Sequence, residues 1–273
     1  MAIAVEPVID CHVHVLDPAR FPYADTWYTP IAAETGTPAQ LGHVLDAHGV
    51  HHALLVGPNS GYGVDNRCLL DTIARSAGRY KGIAVVRNDA TLGELQDLQA
   101  AGVVGVAFNT ALLGVPHYRD IGPLLRRLRD LGMWAQVQVE KNQLAEMAPM
   151  LRDSGARLLF DHCGRPDAKA GVGQAGFAAL LDLAHTGRAC VKLSSLTKCS
   201  DLSYPHKDAW PYVQALVQAY TPQFLVWASD WPFLRAPDRI DYGPLVRLFE
   251  QLLPDPQARR AIFWDTPRRL FGF

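Results

Sequence analysis

Short apolar runs rich in β-branched side chains recur along the whole chain and alternate with longer stretches of mixed polarity. Runs of this length and composition are typical of buried strands. The pattern predicts eight strands, which read VIDCHVHV from Val8, HALLVG from His52, GIAVV from Gly82, GVVGVAFN from Gly102, MWAQVQV from Met133, RLLFDHC from Arg157, ACVKLSS from Ala189 and FLVWASDW from Phe224.

The stretches between these runs place apolar residues at helical spacing. In IGPLLRRLRDLG, Leu124 and Leu128 share one face and the segment stops at Gly132, a residue type that favours helix C-termini. NRCLLDTIARSAG likewise predicts a helix that ends at Gly78. Because strand-then-helix units repeat without a low-complexity linker, we expect an α/β protein with one domain over residues 1–273. A (β/α)8 TIM barrel is favoured, and an open doubly wound sheet is the alternative.

The first strand alternates between two kinds of side chain. Its two faces carry Ile9, Cys11, Val13 and Val15 on one side and Asp10, His12 and His14 on the other. In a barrel the polar face would look inward, close to the C-terminal strand ends where barrel active sites are built. We therefore predict that Asp10 faces the interior and that both histidines look into the barrel mouth. The structural alternative is a pair of histidines satisfied by backbone carbonyls.

Composition and charge exclude several classes of protein. The chain of 273 residues is 49% hydrophobic and 19% charged, with a net charge of −1 and no basic block, which gives no basis for a nucleic-acid partner. The N-terminal sequence lacks the features of a signal peptide, and no apolar run reaches the roughly 18 residues that would span a membrane. The five cysteines form no CxxC pair, as expected for reduced thiols in a cytoplasmic protein.

Polar residues also end two later strands. His162 and then Arg165 follow the sixth apolar run, and Asp230 follows the eighth. In one barrel, His12, His14, His162 and Asp230 would converge on a single cavity. Such a set supplies either metal ligands with a carboxylate base or a metal-free cluster of proton carriers. Asp230 alone would equally suit a helix cap or a buried acid, so the combination is what indicates an active site.

Four motifs, in this order and spacing, resemble one known family. DCHVHV, DHCGRPD, VKLSS and ASDWP are similar to motifs of the amidohydrolase superfamily, and more narrowly of its 2-pyrone-4,6-dicarboxylate lactonase-like branch. GPNSGYGVDNRCLLDTIA, GRYKGIAVV and the terminal DTPRRLFGF extend the likeness over nearly the whole chain. The resemblance implies a distorted, amidohydrolase-like (β/α)8 barrel that hydrolyses a small lactone.

The resemblance also implies roles for individual residues. The positions that match the family's catalytic centre are His12, His14, His162 and Asp230. The positions that match or lie near its substrate pocket are Tyr28, Ser60, Arg165 and Lys198. Among these, Arg165 matches a carboxylate-binding arginine, and Lys198 stands near a position where family members present another cation.

Two departures from the family concern the metal and the substrate. Many amidohydrolases carry a metal-binding histidine on the fifth strand, where this chain offers only Gln136 and Gln138, so a two-metal centre is not expected. The resemblance implies either no required cofactor or one divalent ion such as zinc, held by His12, His14 and Asp230.

The second departure lies in the fourth strand. GVAFN places Ala107 where the branch commonly has arginine, and a second arginine is replaced around Leu113. Since arginine's fork matches carboxylate geometry, the loss of two such groups weakens the case for a dianionic pyrone. A lactone with one carboxylate, or a sugar-type lactone, is expected instead.

The mechanism that follows is general-base hydrolysis. Asp230 would take a proton from water, and His162 with the pair His12 and His14, or a metal they hold, would stabilise the oxyanion. Two alternatives remain open at this point. One is metal-dependent decarboxylation of an aromatic acid on the same framework, and the other is a binding protein on a decayed barrel.

Overall fold

The computed structural model describes residues 7–236 and 240–273. The eight predicted strands are present in one sheet. Their bounds are β1 Val8–Val13, β2 Val50–Val56, β3 Tyr80–Ala84, β4 Val103–Asn109, β5 Trp134–Gln138, β6 Arg157–Phe160, β7 Ala189–Leu193 and β8 Leu225–Trp227.

The order of strands in the sheet is their order in the sequence, and each neighbouring pair is parallel. The edges of the sheet meet where Val13 of β1 bridges Trp231, just after β8. There the His14 amide donates to the Trp231 carbonyl oxygen at 2.8 Å, and the Asp230 amide donates to the His12 carbonyl oxygen at 2.9 Å. A doubly wound sheet keeps open edges and reverses its strand order. The predicted (β/α)8 barrel is therefore confirmed.

Helices follow most of the strands. Their bounds are α1 Pro38–Ala47, α2 Asn59–Tyr62, α3 Arg67–Ala74, α4 Leu92–Ala100, α5 Thr110–Leu113, α6 Gly122–Leu131, α7 Gln143–Asp153, α8 Ala175–Leu183, α9 Trp210–Tyr220, α10 Tyr242–Leu252, α11 Pro256–Arg260 and α12 Thr266–Phe271. α6 ends where predicted, because Gly132 takes the left-handed conformation with φ 67°. α3 ends earlier than predicted, at Ala74, and a turn leads on to Gly78.

The interior of the barrel is packed with apolar side chains from the strands. They are Ile9, Cys11, Leu54, Val56, Ile83, Trp134, Leu159, Cys190, Val226 and Ala228. Trp134 fits because β4 has Gly105 opposite it, where a Cβ would lie 2.6 Å from the Trp134 carbonyl oxygen. The interior is therefore a filled core below the mouth, and not a pore.

Helix α12 closes the barrel at the end opposite the mouth. Leu270 and Phe271 belong to the interior apolar cluster, and the Phe271 ring packs edge-on against Trp134 at 5.8 Å between centroids. The next ring along the chain, Phe273, lies 5.0 Å from His52 at the start of β2. These contacts leave the C-terminal strand ends free to form a site.

The predicted alternation along β1 is interrupted by a β-bulge. From Asp10 to Val13 the strand advances three residues, while its partner β2 advances only from Ala53 to Leu55. The extra residue reverses the side of the sheet to which the following side chains point. His12 and His14 consequently face the mouth as predicted, although Ile9 and Cys11 also belong to the interior.

The prediction that Asp10 faces the interior is therefore wrong. Its carboxylate accepts a hydrogen bond from the hydroxyl of Tyr242 in α10 at 2.7 Å, and others from the amides of Ser229 at 3.0 Å and His12 at 3.2 Å. Asp10 thus ties β1 to β8 and to an outer helix.

Helix lengths and cysteine environments agree with the inferences from composition. Within the described ranges, every helix is too short or too polar to cross a bilayer. The five cysteines are free and buried. Burial raises the pKa of Cys190 and of Cys199 to about 12, so both thiols stay protonated and pack as apolar groups.

Candidate active site

Asp230 lies three residues beyond the end of β8 and is almost fully buried. Its backbone takes the left-handed conformation, with φ 67°. The hydrogen bond that the Asp230 amide donates to the His12 carbonyl oxygen holds it there. One carboxylate oxygen, Oδ2, accepts hydrogen bonds from Ser195 Oγ at 2.7 Å and Lys198 Nζ at 2.5 Å. A left-handed backbone at a non-glycine residue costs energy and persists only where the surrounding structure enforces it. Such residues cluster at active sites.

Three imidazoles surround this carboxylate. The Nε2 atoms of His12 and His14 lie 3.6 and 3.4 Å from Asp230 Oδ1, and His162 Nε2 lies 4.0 Å from Oδ2. The His12 ring centroid is 4.9 Å from that of His14 and 4.8 Å from that of His162. The structure thus brings together the four side chains that the sequence places at the ends of three separate strands.

The second nitrogen of each outer ring is fixed by the protein. His14 Nδ1 is 2.8 Å from the carbonyl oxygen of Val56 and, because a carbonyl only accepts, it carries a proton. His162 Nδ1 is 2.9 Å from the hydroxyl of Ser194. These contacts fix the ring planes and direct both Nε2 atoms at Asp230.

Opposing forces set the protonation of the centre. Burial raises the pKa of the Asp230 carboxyl, but the Lys198 ammonium and the neighbouring imidazoles outweigh burial and hold that pKa well below its ordinary value. Burial, assisted by the charge of Lys198, lowers the pKa of His162 well below the ordinary histidine value. Near neutral pH the centre therefore contains an ionised carboxylate beside a neutral His162.

A second polar layer, which the sequence analysis did not predict, lies beneath His12. Lys192 Nζ lies 3.1 Å from His12 Nδ1, 3.1 Å from Asp161 Oδ1 and 2.6 Å from Gln136 Oε1. Asp161 Oδ1 is also 3.2 Å from His12 Nδ1, and Gln136 Nε2 donates to Asp161 Oδ2 at 2.9 Å. Each of these buried polar groups is paired, as a low-dielectric interior requires.

This layer controls the charge of His12. Burial, reinforced by the Lys192 ammonium, lowers the pKa of His12 to about 4, although Asp161 opposes the shift. The pKa of Asp161 is held below its ordinary value despite burial, chiefly by Lys192. The signal for this layer was a lysine inside the apolar run ACVKLSS, since a fully buried lysine needs a partner.

A cavity of about 410 Å³ opens above these groups at the C-terminal ends of the strands. His12, His14, Ser60, Arg165 and Lys198 line it. Asp230 and His162 are not among the lining residues but lie directly behind His12, His14 and Lys198. Three of the four residues expected in a substrate pocket are therefore at the cavity wall.

The fourth expected pocket residue, Tyr28, is absent from the wall. Its hydroxyl donates to Glu34 Oε2 at 2.5 Å, whereas its neighbour Trp27 lines the cavity. Arg235 also lines the cavity, and its guanidinium stacks over the rings of Trp27 and Tyr28 at 4.7 and 5.5 Å. No pattern in the sequence distinguishes Trp27 or Arg235, because they lie in loops whose path only the folded chain defines.

Glu140 is a further wall residue that the sequence analysis did not single out. Its Oε2 accepts a hydrogen bond from Arg165 at 3.0 Å, and both side chains line the cavity. Arg165 has a left-handed backbone with φ 44°, in the loop after β6. The predicted carboxylate-binding arginine is therefore already paired with a carboxylate of the protein.

The centre can also supply ligands for one divalent ion. Within the described ranges, the group whose ligand atoms lie within 4.8 Å of one another is His12, His162 and Asp230. Two imidazoles and a carboxylate form a donor set that zinc accepts. This set differs in one residue from the expected one, because His162 replaces His14. His14 still contacts Asp230 through its Nε2.

An ionised aspartate among three imidazoles at the mouth of a (β/α)8 barrel defines an enzyme that moves protons or activates water. The chain belongs to the amidohydrolase family, since the family profile described as Amidohydrolase matches residues 9–273. The chain is 32% identical over 272 residues to the 4-sulfomuconolactone hydrolase of Rhizobium radiobacter, covering 96% of this chain and 89% of the relative. It is 28% identical over 277 residues to the 2-pyrone-4,6-dicarboxylate hydrolase of Comamonas testosteroni, covering 96% and 89%.

Solved structures agree with this family assignment. A probable 2-pyrone-4,6-dicarboxylic acid hydrolase from Acinetobacter baumannii superimposes with a TM-score of 0.85 at 27% identity, over 97% of this chain and 99% of the other. A 2,6-dihydroxybenzoate decarboxylase from Rhizobium gives a TM-score of 0.65 at 14% identity, over 98% and 99%. The second likeness shows a shared fold alone.

Proposed function

We propose that the protein is a carboxylic ester hydrolase that opens the ring of a small lactone, either anionic or sugar-type. The observation that carries the proposal is the ionised Asp230, held within 4 Å of His12, His14 and His162 directly behind the cavity wall. The lactone hydrolases among its relatives support the same reaction class.

Asp230 is the general base in this proposal. It takes a proton from a water molecule, the resulting hydroxide attacks the lactone carbonyl carbon, and the carbonyl electrons move onto oxygen. As the intermediate collapses, the bond between the carbonyl carbon and the ring oxygen breaks. Asp230 then returns its proton to the departing alkoxide. General-base help of this kind contributes about 100- to 10,000-fold in rate.

The imidazoles stabilise the developing oxyanion. His12 Nδ1 lies near Lys192 Nζ, which only donates, and near Asp161 Oδ1, which only accepts. In the tautomer in which Nδ1 accepts from Lys192, the proton of the neutral His12 ring lies on Nε2. Nε2–H can then donate to the carbonyl oxygen, together with His162. A preorganised donor in a dry site is worth far more than the same donor in water.

Lys198 has two roles in this scheme. In the free protein its ammonium occupies Asp230 Oδ2, so this contact has to loosen before that oxygen can accept a proton. Because Lys198 also lines the cavity, an anionic group of the substrate provides the competing partner. Ser60 and Arg165, from the facing loops, would orient the ring.

A bound divalent ion is compatible with the same centre. His12, His162 and Asp230 would hold it, with His14 as a neighbouring nitrogen. An ion there would polarise the carbonyl and lower the pKa of bound water. Asp161 and Lys192 would continue to set the orientation of His12 from below.

Hydrolysis is tested with a panel of sugar lactones, muconolactone-type acids and pyrone carboxylates, before and after chelation, with metal content measured in parallel. We expect ring opening of at least one class, detected as proton release. Absence of turnover over the whole panel, with or without zinc, would rule out the proposal. Release of carbon dioxide from aromatic acids would instead favour the decarboxylase. Cytoplasmic location and the lack of a nucleic-acid partner remain predictions.

A further inference from the structure

The wall of the cavity is divided into two chemically distinct sides. One side, after β2, β4 and β5, carries the uncharged polar side chains Asn59, Ser60, Asn109 and Gln138, with Glu140 at its edge beside Arg165. We call Asn59, Asn109 and Gln138 the amide face. The other side, after β6, β7 and β8, carries the cations Arg165, Lys198 and Arg235.

The amide face is built by strand register. Asn109 and Gln138 are directly paired at the ends of β4 and β5, so their side chains project on the same side of the sheet. Asn109 Nδ2 donates to Asn59 Oδ1 at 3.3 Å, which joins the loop after β2 to the pair. The three amides thus form one continuous surface.

Much of the hydrogen-bonding capacity of this surface is unused. Within residues 7–236 and 240–273, the Gln138 amide, Asn59 Nδ2 and Ser60 Oγ have no protein partner. Gln136, one rung deeper on β5, is by contrast bonded to both Lys192 and Asp161. A neutral amide offers donors and an acceptor together, which matches a hydroxyl group and has no preference for a carboxylate.

Two of the three cations on the opposite side are already paired with carboxylates of the protein, and the third is stacked on an aromatic ring. Lys198 bonds Asp230 at 2.5 Å, Arg165 bonds Glu140 at 3.0 Å, and Arg235 stacks on Trp27 at 4.7 Å. A substrate with two carboxylates would need two free cations, since a desolvated carboxylate without a partner is costly. Among the cavity cations that the structure describes, only Lys198 contacts Asp230.

We propose, on the basis of the lactone hydrolase function above, that the substrate is a polyhydroxylated lactone with at most one carboxylate. Its ring hydroxyls bond the amide face, and its carbonyl points at His12 and His162. Gln138 and Asn59 are specificity-determining residues, and Glu140 disfavours dicarboxylates by occupying Arg165. A cavity of about 410 Å³ is within the range that holds a six-membered ring with a short substituent.

The test compares three probes with the full-length protein: D-glucono-1,5-lactone, unsubstituted δ-valerolactone and 2-pyrone-4,6-dicarboxylate, each corrected for spontaneous hydrolysis. We expect kcat/KM for the hydroxylated ring to exceed that for δ-valerolactone by at least about 100-fold, because polar groups left unpaired penalise the analogue that lacks hydroxyls. The dicarboxylate should be the poorest of the three.

Two variants separate the two sides of the cavity. Gln138→Met should lower the ratio of kcat/KM for the hydroxylated lactone to kcat/KM for δ-valerolactone about 5- to 10-fold. Glu140→Gln should improve kcat/KM for the dicarboxylate about 10-fold by releasing Arg165. Gln218→Met, at an exposed position of α9, is the matched control and should match the wild type on every probe. Asn59→Leu replaces Gln138→Met if the latter does not fold.

Binding of a non-hydrolysable ring distinguishes the two proposals. We expect calorimetry to give a Kd for D-glucono-1,5-lactam at least about 100-fold lower than the Kd for 2-piperidinone. Gln138→Met should reduce this difference in affinity. That result without any lactone turnover would support the amide face and overturn the hydrolase function. Equal affinity for the two lactams, or equal turnover of hydroxylated and unsubstituted lactones, would overturn the amide-face proposal while the hydrolase function stands.

Discussion

Three buried aspartates show how the surroundings of one residue type decide its chemistry. Asp10 accepts hydrogen bonds but forms no ion pair with any cation in the described part of the chain, and burial raises its pKa to about 6. Asp161 and Asp230 are equally buried, but Lys192 and Lys198 respectively counter burial and hold both pKa values low. Only Asp230 also has a left-handed backbone and three imidazoles around it. It is therefore the aspartate suited to act as the base.

Asp230→Asn should reduce turnover of the best lactone by about 100- to 10,000-fold, because an amide cannot accept the proton of the attacking water. The melting temperature should stay close to that of the wild type, since the amide keeps an oxygen for Ser195 or Lys198. Steady-state kinetics with circular-dichroism melts checks both. Asp153→Asn, at an exposed position of α7, is the control. Wild-type turnover in Asp230→Asn would exclude Asp230 as the base.

Asp10→Asn should change the dependence of stability on pH. The folded-state pKa of about 6 lies above the ordinary 3.8, so Asp10 favours the native state below pH 3.8 and loses that contribution as pH rises through 6. An asparagine mimics the protonated acid and avoids the loss. The variant should be more stable than the wild type at pH 8, by at most about 3 kcal/mol, and the difference should shrink by pH 4.

Urea unfolding of both proteins at several pH values measures this difference. An advantage of the variant that grows toward acid would contradict the raised pKa of Asp10.

At the scale of single elements, the bulge in β1 explains how one short motif serves two structural purposes. The same segment directs Asp10 outward to Tyr242 and turns His12 and His14 toward the mouth. Strict alternation would have placed all three on one face. A bulge adds one residue without a clear sequence signal, which is why the alternation of DCHVH predicted the histidines correctly and the aspartate incorrectly.

Helix α8 is positioned by a close backbone contact. A Cβ on Gly176 would lie 2.0 Å from the Lys141 carbonyl oxygen, and the Gly176 amide donates to Asn142 Oδ1 at 2.9 Å. This contact fixes the loop that carries Glu140 into the cavity wall. The start of an outer helix thereby contributes to the shape of the site.

Gly176→Ala should destabilise the protein by about 1–3 kcal/mol, since backbone has to move to admit the methyl group. Gly93→Ala in α4, where a Cβ meets nothing within 4 Å, should instead stabilise by up to about 1 kcal/mol through helix propensity. Chemical denaturation measures both changes. Equal effects of the two substitutions would show that the contact of α8 with Lys141 is unimportant.

Across the whole molecule, stability and chemistry are concentrated at opposite ends of the barrel. Apolar side chains fill the interior down to α12, whereas the polar groups gather at the C-terminal strand ends. This division is general for (β/α)8 enzymes. It allows the site to hold buried charges while the rest of the interior supplies the hydrophobic stabilisation.

Phe271→Ala should cost about 3–5 kcal/mol of stability, because it empties an apolar site beneath the barrel. Since Phe271 packs on Trp134 and not on the polar layer, kcat and KM at 25 °C should stay within about twofold of wild type. Urea unfolding and lactone kinetics on one preparation test both. A large loss of activity in protein that is still fully folded would contradict the separation of the two ends.

The sequence by itself predicted the eight strands, favoured a barrel over an open sheet, and predicted that four polar groups meet at the mouth. These depend on periodicity, on the placement of residues at strand ends and on motif order, which are local properties of the chain. The position of Tyr28 outside the wall could not be read in this way, because its partners Glu34 and Arg235 depend on how two loops meet.

Only the tertiary structure decided which polar groups pair with one another. Lys192 with Asp161, Lys198 with Asp230 and Arg165 with Glu140 join residues from different strands and loops. Ion pairing and burial depend on distances in space, which sequence separation does not specify. For that reason the charge state of the centre and the composition of the amide face follow from the folded arrangement of the strands and not from the sequence.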